Sequence, residues 1–370
     1  MKIAVIDITN KVPLYNKALM KAINNAKESE DTIDFYSSDS HLLSIVPRKI
    51  ENSKKIAKRA LKAWETLLNW FCLFFIIPAK RYNVVHFQWL PFLEISSIEV
   101  LFIRIIKIFT SSQLVFTIHN VYPHGKDSIQ YKEKYSKRFC KIAKLFDKFI
   151  VHTNSTKTQL IREFGLPEQS VYIIHHGIFE HRIAPSIIAN DENKRFNIIM
   201  YGNQDKYKGT DIFVDSLALL SNNLKEKVSA KIVGRMDSEM YAELTSKECN
   251  IDLEIIPHFV PEEELYRNIT ESDLIVLPYR DISQSGVLLL ALSFRKCILT
   301  SDLPSFKETL EGFDDNMFFK VGDAHSMSLA IGRFVQGEID VDKQLMIIDS
   351  LNRKYSWESA GRLTYNTYKK

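Results

Sequence analysis

Short apolar runs alternate with amphipathic stretches along the whole chain, and many of the runs end at a polar, glycine- or histidine-bearing loop. Lys2–Asp7, Val84–Phe87, Gln113–Ile118, Phe149–His152 and Val171–Ile174 read as strands, with helical stretches such as Tyr131–Phe146 between them. A polar stretch at Ala189–Arg195 interrupts the pattern, which restarts with Phe196–Met200, Lys231–Val233, Leu253–Ile256, Leu274–Leu277 and Cys297–Thr300. Strands separated by helices return to the same end of the sheet each time, so the sheets should be parallel. At 370 residues the chain exceeds one comfortable core. The expectation is an α/β protein of two doubly wound, Rossmann-like domains, 1–185 and 190–354, facing an interdomain cleft. In such sheets ligands bind beyond the carboxyl ends of the strands, so function should reside in the loops found there.

Two of those loops carry anion-binding chemistry. In LPYRDISQSGVLLLALSFRKCILTSD, residues 277–302, a strand ends at Pro278 and a small polar loop leads into a helix. Gln284, Ser285, Gly286 and Val287 fall at the helix start, where backbone N–H groups lack intrahelical partners and favour a phosphate. The same residues also suit any strand-to-helix turn. In YGNQDKYKG, residues 201–209, Gly202 and Gly209 permit close backbone approach, and Lys206 and Lys208 bring ammonium groups to a second helix start over Thr210–Leu220. Two solvated lysines in a loop would look alike. Both loops end strands of one sheet, which makes coincidence the poorer explanation.

Charge divides the molecule. The net charge is +4, yet residues 1–180 hold 26 Lys and Arg against 16 Asp and Glu, so the remainder is acidic. Within the basic half, RKIENSKKIAKRALK at 48–62 precedes the aromatic AWETLLNWFCLFFII at 63–77, and ISSIEVLFIRIIKIF at 95–109 repeats the theme. A basic segment beside an aromatic face suits peripheral contact with an anionic membrane; a solvated helix followed by a buried one is the other reading. No reading helix or base-stacking platform accompanies the basic residues, which argues against nucleic acid. Four scattered cysteines and no cleavable signal point to a reducing, cytoplasmic setting. No apolar run of about 20 residues suggests a membrane span. No His, Cys and Asp cluster has metal-ligand spacing.

These motifs together resemble the GT-B glycosyltransferases, specifically the large retaining group related to glycosyltransferase family 4. The strand, glycine loop and Lys-Gly pair at Gly202 to Lys208–Gly209, Arg235 in KIVGRMD, HFVPEEEL at 258–265 and PYRDISQSGV resemble the family's nucleotide-sugar half. VVHFQWLP at 84–91, FTIHNVYPHG at 116–125 and residues 151–180 resemble its acceptor half, and YSWESAGRLTYNTYKK at 355–370 resembles the last helix, which in this fold crosses back to the first domain. The resemblance implies a donor site of Gly202, Asn203, Lys208, Gly209, Arg235, Phe259, Val260, Arg280, Gln284, Ser285, Gly286 and Val287. Lys208 would contact the donor diphosphate, and the backbone around Phe259 and Val260 would line the base. It implies a catalytic His119 beside the sugar and acceptor, with Asn120, His86 and His124 on the acceptor side. It implies no cofactor and no metal, the UDP- or GDP-sugar being substrate.

The chain departs from the family in four places. Two family glutamates, one of them a ribose ligand, become Ser283 and Ala291; a family arginine becomes Asn203, for which Arg280 could compensate; and the glycine-rich turn after the first strand becomes Ile8–Asn10 and Pro13. The expected function is transfer of a sugar from a UDP- or GDP-sugar to a hydroxyl of a glycan or lipid-linked glycan in surface polysaccharide synthesis, at the inner face of the cell membrane. A catalytically silent binding subunit and a sugar-nucleotide epimerase of the same fold are the alternatives.

Overall fold

The computed structural model describes residues 1–45, 55–123, 128–178, 195–282 and 285–370, the side chains of 55–59 excepted. His124, Ser283, Gln284, most of the polar stretch at 189–195 and much of the basic segment at 48–62 lie outside the described residues. The chain forms two compact units, Met1–His176 with Trp357–Lys370, and Gly177–Ser356.

The first unit contains β1 (Lys2–Asp7), α1 (Pro13–Ala26), β2 (Thr32–Ser37), α2 (Lys55–Lys80), β3 (Val84–Phe87), α3 (Ile98–Phe109), β4 (Gln113–Thr117), α4 (Ile129–Ala143), β5 (Lys148–Val151), α5 (Asn154–Phe164) and β6 (Val171–Ile173). Its six strands pair in parallel in the order β2-β1-β3-β4-β5-β6. The second contains β7 (Phe196–Tyr201), α6 (Thr210–Ala218), α7 (Asn222–Lys227), β8 (Val228–Val233), α8 (Ser238–Thr245), β9 (Asp252–Ile256), α9 (Glu262–Glu271), β10 (Leu274–Leu277), α10 (Gly286–Ser293), β11 (Cys297–Ser301), α11 (Pro304–Thr309), β12 (Phe318–Phe319), α12 (Ala324–Val335) and α13 (Val341–Lys354). Its sheet runs β12-β11-β10-β7-β8-β9, again all parallel. The last helix, α14 (Trp357–Lys369), belongs to the first unit.

Both sheets are covered on both faces, so their central strands are apolar at nearly every position. Along β1, Ile3 and Val5 enter one core while Ala4 and Ile6 enter the other; along β7, Ile198 and Met200 divide from Ile199 and Tyr201 in the same way. This is the period of two that a strand imposes on side chains.

α14 closes one face of the first sheet. Gly361 packs so tightly on α1 that a Cβ there would lie 2.4 Å from the backbone of Ala22. Buried Lys148 donates to the carbonyl of Thr367 at 2.7 Å. At the opposite face, α2 sets Trp70, Leu73 and Ile77 into the core, with Trp70 stacked on Phe87 and Phe102. Ala60–Lys80 is long and apolar enough to cross a membrane by length and composition, which corrects the sequence reading that no such segment exists. Interspersed Lys62, Glu65 and Asn69 hid it from a search for an uninterrupted apolar run. Glu65 and Asn69 are turned inward, where they bond the backbone of Ile45 and Leu43.

The glycine turn missing after β1 is made by another residue. Asn10 adopts φ 45°, and its N–H reaches the Asp7 carbonyl at 2.9 Å. Asparagine tolerates this left-handed region better than most side chains. Pro13 then starts α1, where its missing N–H costs nothing.

Candidate functional site

In the second unit, β7 delivers its chain to a loop fastened by main-chain contacts. Gly202 N–H donates to the Val233 carbonyl at 2.9 Å, and Gln204 N–H donates to that of Arg235 at 2.8 Å. Buried Gln204 also donates to the Gly202 carbonyl and accepts from Thr210 Oγ1 at 2.8 Å. Gly234 sits at φ 139°, and a Cβ there would fall 2.1 Å from the Gly202 oxygen. Gly209 has φ 71°, and its Cβ would fall 2.0 Å from the Pro278 carbonyl oxygen. Only glycine fits either position, since each combines an unfavourable φ with backbone contact. Neither Gln204 nor Gly234 was singled out in the sequence. Gly234 is legible in retrospect as a glycine directly after an apolar strand.

The loop carries Lys208 to the start of α10. A Cβ built on Gly202 would meet Lys208 Nζ at 3.0 Å and Val287 Cγ2 at 3.1 Å, so the ammonium, the glycine and the first turn of α10 share one spot. Lys208 is 5% exposed, and burial lowers its pKa to about 8. Among the described residues its ammonium has no ion-pair or hydrogen-bond partner. Asp205 offsets the burial only in part, and a buried cation without an ion-pair partner is costly, a cost relieved when an anion arrives.

Ser285 caps α10 by accepting the N–H of Leu288 at 3.1 Å. Tyr201 Oη donates to the Val287 carbonyl at 2.9 Å and fixes the helix start against β7. The cap leaves the N–H groups of Gly286 and Val287 as the donors of that turn without an intrahelical partner. A Cβ on Gly286 would meet nothing within 4 Å. Lys208 and the N-terminus of α10 therefore form one electropositive cradle.

The remaining donor-side candidates divide. Asn203 and Arg235 are exposed beside the Gly202 loop, Phe259 is exposed, and Val260 is packed in the core. Arg280 does not fill the role of spare phosphate ligand. Its guanidinium holds the Asp211 carboxylate through both terminal nitrogens, at 2.8 and 2.6 Å, and also donates to the Lys206 carbonyl. That pair fastens the loop to the first turn of α6, and Arg280 holds the Asp211 carboxyl below its usual range against the raising effect of burial. Ala291 is fully buried in the core. No ribose carboxylate can come from that position.

In the first unit, His119 follows β4 and sits among aromatic rings: Trp89 at 5.5 Å, Tyr15 at 5.0 Å and His152 at 5.1 Å between centroids. His176 and Trp357 complete the group through Tyr15. Trp89, His119 and half-buried Asn120 line a cavity of about 330 Å³ whose wall includes Leu90, Leu93 and Phe116. Lys11 lies over the Trp89 ring at 3.9 Å and faces Glu94 at 3.6 Å.

Hydrogen bonding settles the protonation pattern. The Ile174 carbonyl can only accept, so His152 Nδ1, 2.8 Å away, carries its hydrogen. Burial lowers the His152 pKa to about 4, so the ring is neutral and Nε2 is an acceptor. His119 Nδ1, 3.3 Å from that Nε2, is then the donor. Burial first, and nearby His152, His176, His86 and Lys11 after it, keep His119 well below the ordinary histidine range. Its Nε2 is left as a buried lone pair with no partner among the described residues. Such a nitrogen accepts from an O–H or N–H donor, a hydroxyl among them.

His86 is corrected. It is fully buried, with Nδ1 2.6 Å from Tyr368 Oη and Nε2 2.7 Å from Thr117 Oγ1, and burial lowers its pKa to about 3. β3 runs on to Phe87, so His86 is an interior strand residue pointing to the face that α14 covers. It ties that helix to the sheet and takes no part in an acceptor site. His152, Tyr15 and Trp89 were missed; the available signal for His152 was a second strand-terminal histidine on the strand beside that of His119. Among the described residues no group of three or more His, Cys, Asp or Glu side chains could hold a metal ion.

Comparison with known proteins adds family and fold. Residues 186–349 match the family of glycosyl transferases group 1, and residues 39–182 match glycosyltransferase family 4. The GDP-mannose:glycolipid 4-beta-D-mannosyltransferase of Xanthomonas campestris is 24% identical over 231 residues, which is 60% of this chain and 61% of that protein. The alignment thus spans about three fifths of that relative's length. A glycosyltransferase from Rickettsia africae superposes with a TM-score of 0.68 at 15% identity, covering 100% of this chain and 97% of that one. Anabaena HepE in complex with UDP superposes with a TM-score of 0.67 at 14% identity, covering 99% of each chain. With a family match on each half and two all-parallel six-stranded sheets beneath them, the chain belongs to the GT-B glycosyltransferases of the family 4 type.

Proposed function

We propose that this enzyme transfers a sugar, with retention of configuration, from a UDP- or GDP-sugar to a hydroxyl of a glycan or lipid-linked glycan in cell-surface polysaccharide synthesis. The observation that carries the donor is Lys208, a buried ammonium with no ion pair or hydrogen bond among the described residues, beside the N-terminus of α10. The leaving group of such a transfer is a nucleoside diphosphate, so catalysis consists largely of holding it and stabilising the charge that develops on it. Lys208 and the N–H groups of Gly286 and Val287 do this without a metal. His119 Nε2 accepts a hydroxyl of the acceptor or of the transferred sugar, and Trp89 and Asn120 hold the acceptor in the adjoining cavity.

Known relatives support this choice of substrates without fixing the base. HepE has been crystallised with UDP and with UDP-glucose, and the Xanthomonas relative is named for GDP-mannose and a glycolipid. Retention follows the family 4 resemblance.

The test is a panel of nucleotide sugars read by release of UDP or GDP, with and without a lipid extract and with and without a chelator. Release that requires extract and survives the chelator supports the proposal, and the anomeric configuration of the product, read by NMR, tests retention. Absence of release with every donor, together with no thermal stabilisation by UDP or GDP, would leave a silent binding subunit. Conversion of the donor in the absence of any acceptor would make the protein an epimerase.

A further inference from the structure

α2 turns an apolar stripe outward as well as inward. Leu61, Trp64, Leu68, Phe71 and Phe75, spaced by three and four residues, are between 41% and 65% exposed. On the neighbouring α3, Leu101, Ile108 and Phe109 are 55% to 69% exposed. The two faces are continuous. Phe71 meets Phe75 at 5.0 Å, Phe75 meets Phe74 at 5.8 Å, and Phe74 meets Phe109 of α3 at 6.1 Å between ring centroids. Isolated exposed apolar residues need no explanation, but a connected aromatic surface over two helices does.

Charge on these helices is sorted by direction. Glu65 and Glu99 are 6% and 1% exposed, and they are the only carboxylates in either helix. The described charged residues that face outward, Lys62, Lys80, Arg104 and Lys107, are all cationic. Lys80 and Lys107 are paired with Asp34 and Asp147. Lys62 and Arg104 make no ion pair among the described residues.

We infer that this face of α2 and α3 docks on the surface of an anionic bilayer, aromatic side chains entering the headgroup boundary and Lys62 and Arg104 meeting lipid phosphates. An aromatic ridge on two helices whose own outward charges are all cationic, Lys62 and Arg104 outside any ion pair among the described residues, is the composition of an interfacial helix. A second copy is the poorer occupant, because a two-fold contact through this patch would set its cations against one another. A span is the poorer reading because Trp70, Leu73 and Ile77 of α2 are locked in the core. The inference goes beyond the proposed reaction and does not rest on it.

The experiment is co-sedimentation of the full chain with vesicles of phosphatidylcholine alone and of equimolar phosphatidylcholine and phosphatidylglycerol. Binding should require the anionic lipid and weaken with salt. Lys62→Ala combined with Arg104→Ala should weaken it about 30-fold, at ~1 kcal/mol for each cation near the surface. Phe71→Ser with Phe75→Ser should abolish it. Each variant is first checked for an unchanged melting temperature and unchanged UDP or GDP affinity. A blue shift of tryptophan emission on binding should vanish in Trp64→Phe. Equal binding to both vesicles, or none to either, overturns the inference. Self-association without lipid that Phe71→Ser with Phe75→Ser removes would make the face an interface between copies. Retention of membrane-bound protein through alkaline carbonate washing would make α2 a span.

Discussion

His152 selects the tautomer of His119. With Nδ1 of His152 committed to the Ile174 carbonyl, its Nε2 can only accept from His119 Nδ1, and the lone pair of His119 is delivered to Nε2. The two residues are 33 apart in sequence but end adjacent strands of one sheet. His119→Ala should therefore lower kcat by about 10² or more. His152→Phe should reproduce much of that loss while leaving donor KM nearly unchanged, because it frees the tautomer without touching the diphosphate cradle. Nitrogen NMR of the imidazoles checks the cause directly: His119 should be protonated at Nδ1 in the native protein and mixed in His152→Phe.

The same burial gives a pH signature. His86 and His152 have pKa values lowered to about 3 and about 4, and His119 is lowered well below 6.5. Each ring is neutral when folded and takes a proton when unfolded below pH 6.5, so the unfolded state binds more protons and stability falls with acid. The window runs from 6.5 down to about 4, where His152 begins to charge in the folded state. Each histidine costs ~1.4 kcal/mol for every pH unit within it. Together the three histidines should contribute up to three protons to the slope of unfolding free energy against pH, offset by about one above pH 4.5 by buried Glu99, whose raised pKa of about 8 has the opposite sign; a substitution removing any one histidine should lower the slope by one.

Lys208 sets stability against binding. Its pKa of about 8, against 10.5 for a free lysine, means that the charged form is penalised in the folded state by roughly 3 kcal/mol. The unfolded state holds the extra proton between these values, so that penalty is full below pH 8 and fades toward 10.5. Lys208→Met should raise the melting temperature of the free protein at neutral pH and abolish stabilisation by UDP or GDP. A bound diphosphate restores the lysine's pKa, so binding near pH 8 should take up about half a proton. Calorimetry in buffers of different ionisation heat measures that uptake; finding none would separate Lys208 from the phosphates.

Arg280 offers the contrast. Its bidentate bond to Asp211 is partly exposed, with the two side chains 40% and 35% accessible. Arg280→Ala should cost about 1 kcal/mol of stability. Donor affinity should change by no more than the loosening of the loop allows, and Arg280→Ala with Asp211→Ala should be less than additive. A loss of affinity as large as that of Lys208→Met would return Arg280 to the phosphates.

The parallel sheets were legible because buried parallel strands are continuous apolar runs, and the placement of Lys208 and Ser285 at helix starts was legible because each follows an apolar strand and a turn and precedes an apolar helix. Several strand ends fell within one residue of the sequence reading, as at Phe196–Tyr201 against Phe196–Met200. What stayed hidden depended on which strands became neighbours. The His119–His152 bond is set by sheet order, the burial of His86 by the face that α14 covers, and the capture of Arg280 by an aspartate 69 residues away. β2, with polar and half-buried positions at one edge of its sheet, and the two-residue β12 at an edge of the other lacked the apolar run that revealed the remaining strands.

Gly286 permits the sharpest separation of helix stability from ligand chemistry. It opens α10, a Cβ there would touch nothing within 4 Å, and its φ is not positive. Gly286→Ala should leave the fold intact and raise stability by up to ~1 kcal/mol, since alanine loses less backbone freedom in a helix. Gly209→Ala and Gly234→Ala should instead destabilise strongly, because each Cβ would fall about 2 Å from a carbonyl oxygen, Pro278 and Gly202 respectively. If a diphosphate rests on the first turn of α10, the methyl of Gly286→Ala occupies space beside its oxygens and donor affinity falls while the melting temperature rises. Thermal shift with and without UDP or GDP reads both quantities at once. A higher melting temperature with undiminished nucleotide stabilisation would move the phosphates off α10 and leave Lys208 to hold them without the helix.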